Sequence, residues 1–203
     1  MTSVYDLKPR FQALLRPLVG ALVARGVTAN QVTIAAMVAS IATALALWAL
    51  AGVRASLFLL PVVLFLRMAL NAIDGMIARE HDQKSRLGAI LNEVGDVVSD
   101  AALYLALVPA LAPYGAHGWP IAFFVVAAIL TEFVGVLVEA LGAGRRYDGP
   151  MGKSDRAAVI GAIAFLVGLG VPAGWWLDGI MLLLTLLAVW TSFNRARHAL
   201  VES

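Results

Sequence analysis

The sequence predicts an all-α integral membrane protein, in which a bundle of six transmembrane helices follows an amphipathic helix at the membrane interface. Hydrophobic residues make up 61% of the 203-residue chain and charged residues only 14%, with a mean hydropathy of +0.86, unlike a soluble protein. Six nearly uncharged runs are long enough to cross a bilayer core, which takes about 20 helical residues. The basic residues gather on one side of these runs.

The first element lies within residues 1–30, where leucines at helical spacing alternate with basic residues. This pattern is typical of an amphipathic helix in the cytoplasmic interface, and Pro9 and Pro17 are expected to kink or divide it. The six spans are predicted at 32–53, 56–78, 88–113, 119–141, 154–172 and 175–194. No linker or repeat interrupts them, so residues 1–203 are expected to form one domain with its six spans in 32–194.

The distribution of basic residues predicts the orientation of the chain. Lysine and arginine are concentrated near both termini and after the second and fourth spans, whereas the opposite loops contain only Arg54. Because basic residues are retained on the cytoplasmic side, both termini are expected in the cytoplasm. The net charge of +2 reflects this asymmetry, and no pattern indicates nucleic-acid binding. The absence of cysteine excludes disulfides, thiolate metal sites and cysteine nucleophiles.

Polar residues interrupt the second and third spans, and charge inside a membrane helix usually marks function. By helical spacing they form two stripes, Arg67, Asn71, Asp74 and Ala78 on the second span, and Gly88, Asn92, Asp96 and Asp100 on the third. If the stripes face each other, their oxygen atoms line a cleft suited to a hard cation such as Mg²⁺ beside a diphosphate. Glu93 lies about 100° around the helix from Asn92 and is expected to miss this cleft.

This polar region resembles the signature of the CDP-alcohol phosphatidyltransferase family, DxxDGxxARx8GxxxDxxxD. Every spacing fits. Asn71 stands at the first aspartate position and Asn92 at the third, whereas Asp74 and Asp96 keep the second and fourth. Two further segments extend the resemblance, NQVT at residues 30–33, which is similar to the NxxT segment of the family, and GKSDR at residues 152–156.

The resemblance implies the CDP-alcohol phosphotransferase fold and transfer of a phosphatidyl-type group from a CDP-activated lipid to an alcohol acceptor, with release of CMP. It also implies phospholipid biosynthesis in a bacterial inner membrane, Mg²⁺ or Mn²⁺ as cofactor, and a homodimer. Carried over by position, the implied metal ligands are Asn71, Asp74, Asn92 and Asp96, and Asp96 is also the implied catalytic base. The residues implied to bind the CDP-lipid are Asn30, Thr33, Gly75, Arg79, Ser85 and Gly88. The residues implied to bind the acceptor are Arg145, Lys153 and Arg156, and the acceptor is therefore expected to be anionic.

The two asparagines change the chemistry that the resemblance implies. In the family, the first and third aspartates bridge two metal ions, and the second and fourth each bind one. An amide oxygen can bind Mg²⁺ but carries no formal charge, so holding two dications about 4 Å apart becomes much harder. We therefore expect weaker metal binding, one ion in place of two, or another use of the site. Asp100 is the nearest substitute ligand, although its position one turn further along the helix is expected to be too deep.

Other interpretations remain open at this stage. The chain can be a catalytically silent family member that binds CDP-lipid or metal and scaffolds or regulates a partner enzyme. In that case, restoring both aspartates would create or raise activity. A small cation carrier is a third interpretation, which requires ion flux without CDP-lipid. Asn71 and Asn92 can also serve as hydrogen-bonding contacts between helices, and Arg67 is favoured as a structural partner of Glu132 or Glu139.

Overall fold

The computed structural model describes residues 4–142, 144 and 149–201, with side chains described for 9–142, 144 and 149–200. All regular structure in these residues is helical. The helices are α1 (Val4–Ala24), α2 (Ala29–Ala49), α3 (Leu59–Glu80), α4 (Arg86–Leu105), α5 (Leu107–Leu111), α6 (Gly118–Ala140), α7 (Lys153–Gly168) and α8 (Trp175–Val201). Short 3₁₀ turns at Arg54–Phe58 and Ala112–Tyr114 precede α3 and follow α5.

The membrane-spanning part of the fold agrees with most of the predicted spans. Five helical segments are long and apolar enough to cross a bilayer, namely Ala29–Ala49, Arg54–Glu80, Arg86–Tyr114, Gly118–Ala140 and Trp175–Leu200. Helix α7 corresponds to the span predicted at 154–172, but its 16 residues extend only about 24 Å, less than the bilayer core of about 30 Å. The crossing by α7 therefore stays a prediction.

Helix α1 is continuous through both of its prolines, so Pro9 and Pro17 do not divide it, and the kink expected as the alternative stays a prediction. Each proline removes one backbone hydrogen bond, but contacts with α3 hold the helix in place. Phe11 packs edge-on against Phe65, with ring centroids 6.3 Å apart. The packing of an apolar face, rather than local propensity, therefore decides the structure of this segment.

The bundle surrounds a polar interior near one end. Neighbouring helices pack in the order α8, α6, α4, α2, α3, α7, so that α3 and α4 both rest on α2. A large apolar core fills one half of the bundle, with Tyr104, Leu107 and Phe124 completely buried. A smaller apolar cluster around Ile73 and Ile77 joins α1, α2 and α3. It lies along the same stretch of α3 as the polar residues Asn71 and Asp74.

Many large apolar side chains on the outside of the bundle are exposed, including Leu45, Phe65, Phe123 and Leu186. A water-soluble protein rarely exposes so many large apolar side chains, whereas a surface that faces lipid requires them. The fold class predicted from the sequence, an all-helical membrane bundle preceded by an amphipathic helix, is confirmed.

Candidate functional site

The two polar stripes face each other across the interior of the bundle, as their spacing predicts. The amide nitrogen Nδ2 of Asn71 on α3 donates to Oδ1 of Asp96 on α4 at 3.0 Å. One turn deeper, Nη1 of Arg67 lies 2.5 Å from Oδ1 of Asp100. Arg67 thus has the structural role favoured from the sequence, but its partner is Asp100 rather than Glu132 or Glu139. Asp100 is held in this pair, and its use as a substitute ligand stays a prediction.

Asp96, the predicted base, is the most heavily contacted carboxylate of the site. Its Oδ1 atom forms an ion pair with Nζ of Lys153, at the first position of α7, and accepts the hydrogen bond from Asn71. Nη2 of Arg67 lies 3.5 Å from the same oxygen. The side chain is 16% exposed and faces a cavity, so an incoming hydroxyl group can reach it.

Asp74, the other retained aspartate, is buried where α3 crosses α2. The Thr33 hydroxyl lies 2.8 Å from its Oδ2 atom and 3.1 Å from the backbone oxygen of Ala29. The threonine of the NxxT segment and the second motif aspartate, which are distant in sequence, are therefore in direct contact. This contact connects two segments that the resemblance identified separately.

Two cavities lie side by side at the polar end of the bundle. The first, of about 600 Å³, lies among α3, α4, α6, α7 and α8, and Asp96 and Lys153 line it. The second, of about 540 Å³, lies among α2, α3 and α4, and Asp74 and Thr33 line it. Asn71, Arg79 and Asn92 line both cavities and so form their shared wall. We call the first the acceptor cavity and the second the donor cavity.

The donor cavity brings together all six residues implied to bind CDP-lipid, namely Asn30, Thr33, Gly75, Arg79, Ser85 and Gly88. Ser85 caps α4, because its Oγ atom accepts a hydrogen bond from the backbone N–H of Gly88 at 3.0 Å. A Cβ atom at Gly88 would lie 2.8 Å from Oδ1 of Asn30, so only glycine fits there without displacing the asparagine. This close approach joins the start of α2 to the start of α4.

Arg79 is the cation at the shared wall. Its guanidinium group covers Gly75, where an added Cβ atom would lie 3.1 Å from Nη1. The side chain is exposed, and no hydrogen bond or ion pair joins it to the described part of the chain. Its paired N–H groups are therefore available for a phosphate group.

Several lining residues of the donor cavity were missed from the sequence. Glu93 lines it together with Glu139, so the expectation that Glu93 would miss the cleft is wrong. The cavity is bounded by α2, α3 and α4 and also by α6, which contains Glu139, so it accepts side chains from a wider arc than one facing pair of helices does. Gln83 was not singled out, but its Oε1 atom accepts the backbone N–H of Ala29 at 3.0 Å and fixes the start of α2. No local sequence signal indicates such a contact.

The residues implied to bind the acceptor lie in different surroundings. Lys153 lines the acceptor cavity, 30% of its side chain is exposed, and its ammonium group contacts Asp96. Arg145 lies outside the described residues. Arg156 is completely buried and is not among the residues that line either cavity.

Arg156 is instead the centre of a buried polar network. Nη2 lies 2.5 Å from Oε1 of Glu132 and 3.4 Å from Oδ2 of Asp100. Nη1 donates to the Thr131 hydroxyl at 2.8 Å and to the backbone oxygen of Met151 at 3.3 Å. These contacts attach the start of α7, and with it Lys153, to α4 and α6.

The site contains oxygen ligands of the kind that a divalent cation prefers. Asp74 and Asp96 supply carboxylates, Asn71 and Asn92 supply amide oxygens, and such oxygen ligands suit Mg²⁺ or Mn²⁺. Within the described ranges, however, no three side chains of histidine, cysteine, aspartate or glutamate form a group that could hold a metal ion. One oxygen of Asp96 is already paired with Lys153.

Comparison with known proteins agrees with this geometry. Residues 26–191 match the CDP-alcohol phosphatidyltransferase family. The chain is 44% identical over 201 residues to inner membrane protein YnbA of Escherichia coli (strain K12), with 99% of this chain and 98% of that protein covered. It is 30% identical over 199 residues to phosphatidylinositol phosphate synthase of Mycobacteroides abscessus, with 95% and 86% covered.

Solved structures of a relative share the fold. The crystal structure of Mycobacterium tuberculosis phosphatidylinositol phosphate synthase (PgsA1) with CDP-DAG bound superimposes with a TM-score of 0.74 at 25% identity, covering 90% of this chain and 92% of that one. The same enzyme in complex with manganese and citrate gives a TM-score of 0.74 at 25% identity, with 90% and 87% covered. The family therefore includes members that bind a CDP-lipid donor and a divalent metal.

The family match extends over most of the chain and includes both polar stripes. The apolar helices and the similarity to an Escherichia coli inner membrane protein support a location in a bacterial inner membrane. Membership accounts for the facing stripes, the adjoining cavities and the retained aspartates together. The chain belongs to the CDP-alcohol phosphatidyltransferase family, whose members transfer phosphatidyl groups in phospholipid biosynthesis.

Proposed function

We propose that this chain transfers a phosphatidyl-type group from a CDP-activated lipid in the donor cavity to an alcohol in the acceptor cavity, releasing CMP. The observation that supports this most strongly is the shared wall. Asn71, Arg79 and Asn92 line both cavities, so a diphosphate on one side lies next to a hydroxyl group on the other. Two substrates that must react directly require such adjoining compartments.

In the donor cavity, we assign the nucleotide to the side formed by Asn30, Ser85 and Gly88, and the diphosphate to the side formed by Gly75 and Arg79. The absence of a side chain at the glycines lets phosphate oxygens approach the backbone closely, and the Arg79 guanidinium can bind them with paired hydrogen bonds. The acyl chains of the donor would extend into the surrounding lipid.

The proposed reaction is one in-line displacement. The acceptor hydroxyl oxygen attacks the phosphorus atom attached to the lipid, while the bond from that phosphorus to the oxygen of CMP breaks. Asp96 accepts the hydroxyl proton, and CMP leaves with the electron pair of the broken bond. A divalent cation, Mg²⁺ or Mn²⁺, bound by Asp74, Asp96 and the two asparagines would neutralise charge on the diphosphate.

The acceptor is proposed to be anionic, because Lys153 lines its cavity and can turn from Asp96 to a negative group. Arg145 is a second candidate contact. For Arg156, we replace the acceptor-binding role by a positioning role, because its guanidinium is fully buried among Asp100, Glu132 and Thr131. The cytoplasmic location of both termini and the homodimer remain predictions.

A catalytically silent member that binds CDP-lipid is the second candidate function. The observation that favours it is that Asp96 is paired with Lys153 and that two motif positions hold neutral amides. The double variant Asn71→Asp/Asn92→Asp separates the two functions. It would gain phosphotransfer activity if the chain is silent, and would lose activity or keep it unchanged if the chain is an enzyme adapted to asparagine.

The test of the proposed function is CMP release from CDP-diacylglycerol with Mg²⁺ or Mn²⁺, measured against a panel of alcohol acceptors. Wild type is expected to release CMP only with its acceptor, and Asp96→Ala is expected to release none. Asp178→Ala is the matched control, since Asp178 pairs with His117 and lines neither cavity. Normal turnover by Asp96→Ala would refute the base, and no release by folded wild type that binds CDP-lipid would favour the silent protein.

A further inference from the structure

Lys153 places a positive charge inside the proposed metal site. Its Nζ atom pairs with Oδ1 of Asp96, the fourth motif position, on the same oxygen that accepts a hydrogen bond from Asn71. The lysine is the first residue of α7, so its backbone position depends on how that helix is anchored. The network of Arg156 with Asp100 and Glu132 provides this anchor.

The first and third motif positions are the ones at which this chain lacks a negative charge. Asn71 and Asn92 line the wall between the two cavities, and the adjacent carboxylates are Asp74 on the donor side and Asp96 on the acceptor side. Two carboxylates can balance one dication but not two, and surplus charge at membrane depth is unfavourable. A lysine ammonium beside Asp96 would raise that surplus further.

We propose that the ammonium group of Lys153 takes the place of a second divalent cation, so that the chain binds one divalent ion and uses Lys153 as its second cation. The inference rests on the proposed function, because it concerns the same site and the same diphosphate donor. It adds to the proposed function the number of divalent ions bound per chain, and it names Lys153 as the residue that sets this number.

The charges of the occupied site agree with this assignment. Asp74 and Asp96 carry one negative charge each, and the diphosphate of a CDP-lipid carries two more. One dication, Lys153 and Arg79 together supply the same amount of positive charge. A second dication would leave a surplus of two positive charges, whereas the two aspartates absent here would have balanced it.

The test counts bound Mn²⁺ by equilibrium titration of the purified full chain in detergent, with free Mn²⁺ followed by electron paramagnetic resonance. Wild type is expected to bind one ion per chain. The double variant Asn71→Asp/Asn92→Asp keeps Lys153, and the triple variant adds Lys153→Gln to it. The double variant is expected to bind a second ion at least about tenfold more weakly than the triple variant. The matched control replaces Lys84, an exposed lysine of the donor cavity, in the same double variant and should behave like the double variant.

The single variant Lys153→Gln adds no charge to the interior and gives a second readout if the multiple variants fold poorly. Removing the ammonium group should tighten the first Mn²⁺ by about tenfold, whereas Lys84→Gln should leave it unchanged. Two ions or none on wild type would overturn the inference, as would equal second-ion affinity with and without Lys153. CMP release, measured on the same preparations, tests the proposed function independently of the ion count.

Discussion

Arg67 on α3 and Asp100 on α4 form a buried ion pair at 2.5 Å, one helical turn beneath the hydrogen bond between Asn71 and Asp96. Asp100 uses its other oxygen to contact Arg156 of α7 at 3.4 Å. One carboxylate therefore connects three helices below the cavities, and the positions of the residues above it depend on this connection.

Replacing Asp100 is expected to destabilise the bundle. Asp100→Asn removes the carboxylate that two buried guanidinium groups share, so that Arg67 keeps only its 3.5 Å contact with Asp96 and Arg156 keeps only Glu132 as a charged partner. Removing one member of a buried pair costs about 3–5 kcal/mol. Thermal unfolding in detergent measures the loss. The control is Asp178→Asn, which breaks a pair with the largely exposed His117 and should cost about 1 kcal/mol or less. Equal effects of the two variants would contradict the prediction.

Gly88→Ala is expected to raise the KM for the CDP-lipid at least about tenfold, because the new methyl group would displace the side chain of Asn30. An added Cβ atom at Gly88 would lie 2.8 Å from Oδ1 of Asn30, whereas at Gly179 it would meet nothing within 4 Å. Gly179→Ala is therefore the matched control and should leave the KM unchanged. A normal KM in folded Gly88→Ala would argue against the assignment of this corner to the donor.

Thr33→Val should cost about 1–3 kcal/mol of stability, because it removes the hydroxyl group that lies 2.8 Å from the buried Asp74 carboxylate. Valine has nearly the shape of threonine, so the loss reports the hydrogen bond rather than a cavity. Thr33→Ser keeps the hydroxyl group and should remain closer to wild type in thermal unfolding. The reverse order of the two variants would show that packing, and not the hydrogen bond, matters at this position.

Lys153→Gln and Arg156→Gln should affect different quantities, although the two residues lie one turn apart on α7. Lys153 lines the acceptor cavity, so its loss should raise the acceptor KM at least about tenfold with little change in unfolding temperature. Arg156 is buried, so its loss should lower stability by about 3 kcal/mol or more. Steady-state kinetics and thermal unfolding of both variants test this separation. A marked stability loss in Lys153→Gln alone would contradict it.

The sequence was sufficient to predict that the two polar stripes face each other, and the six residues that the resemblance implied for the donor line one cavity, because helical spacing and short motifs are local properties. The partners of Asp100 could not be predicted in this way. Arg67 and Arg156 reach it from helices that are distant in sequence, and several acidic residues at similar depth were equally plausible partners. Similarly, the burial of Arg156 depends on how the start of α7 packs against α4 and α6.

The continuity of α1 shows a second limit of local reasoning. Pro9 and Pro17 predict an interruption by their own chemistry, but contacts between α1 and α3, such as Phe11 with Phe65, decide the outcome. The same holds for Glu93, whose angle on an isolated helix suggests that it points away from the cleft. The donor cavity, which several helices line, includes the Glu93 side chain.

The hydrogen bond from Asn71 to Asp96 also constrains how this site can change during evolution. The Asn71 amide donates a hydrogen bond to Asp96 at 3.0 Å, and an aspartate at position 71 would instead place two carboxylates against each other. A single reversion to the family signature would therefore be disfavoured unless a further cation arrived or Lys153 moved. Positions 71, 96 and 153 are coupled through one oxygen atom of Asp96, so we expect the effect of a substitution at any one of them to depend on the residues at the other two.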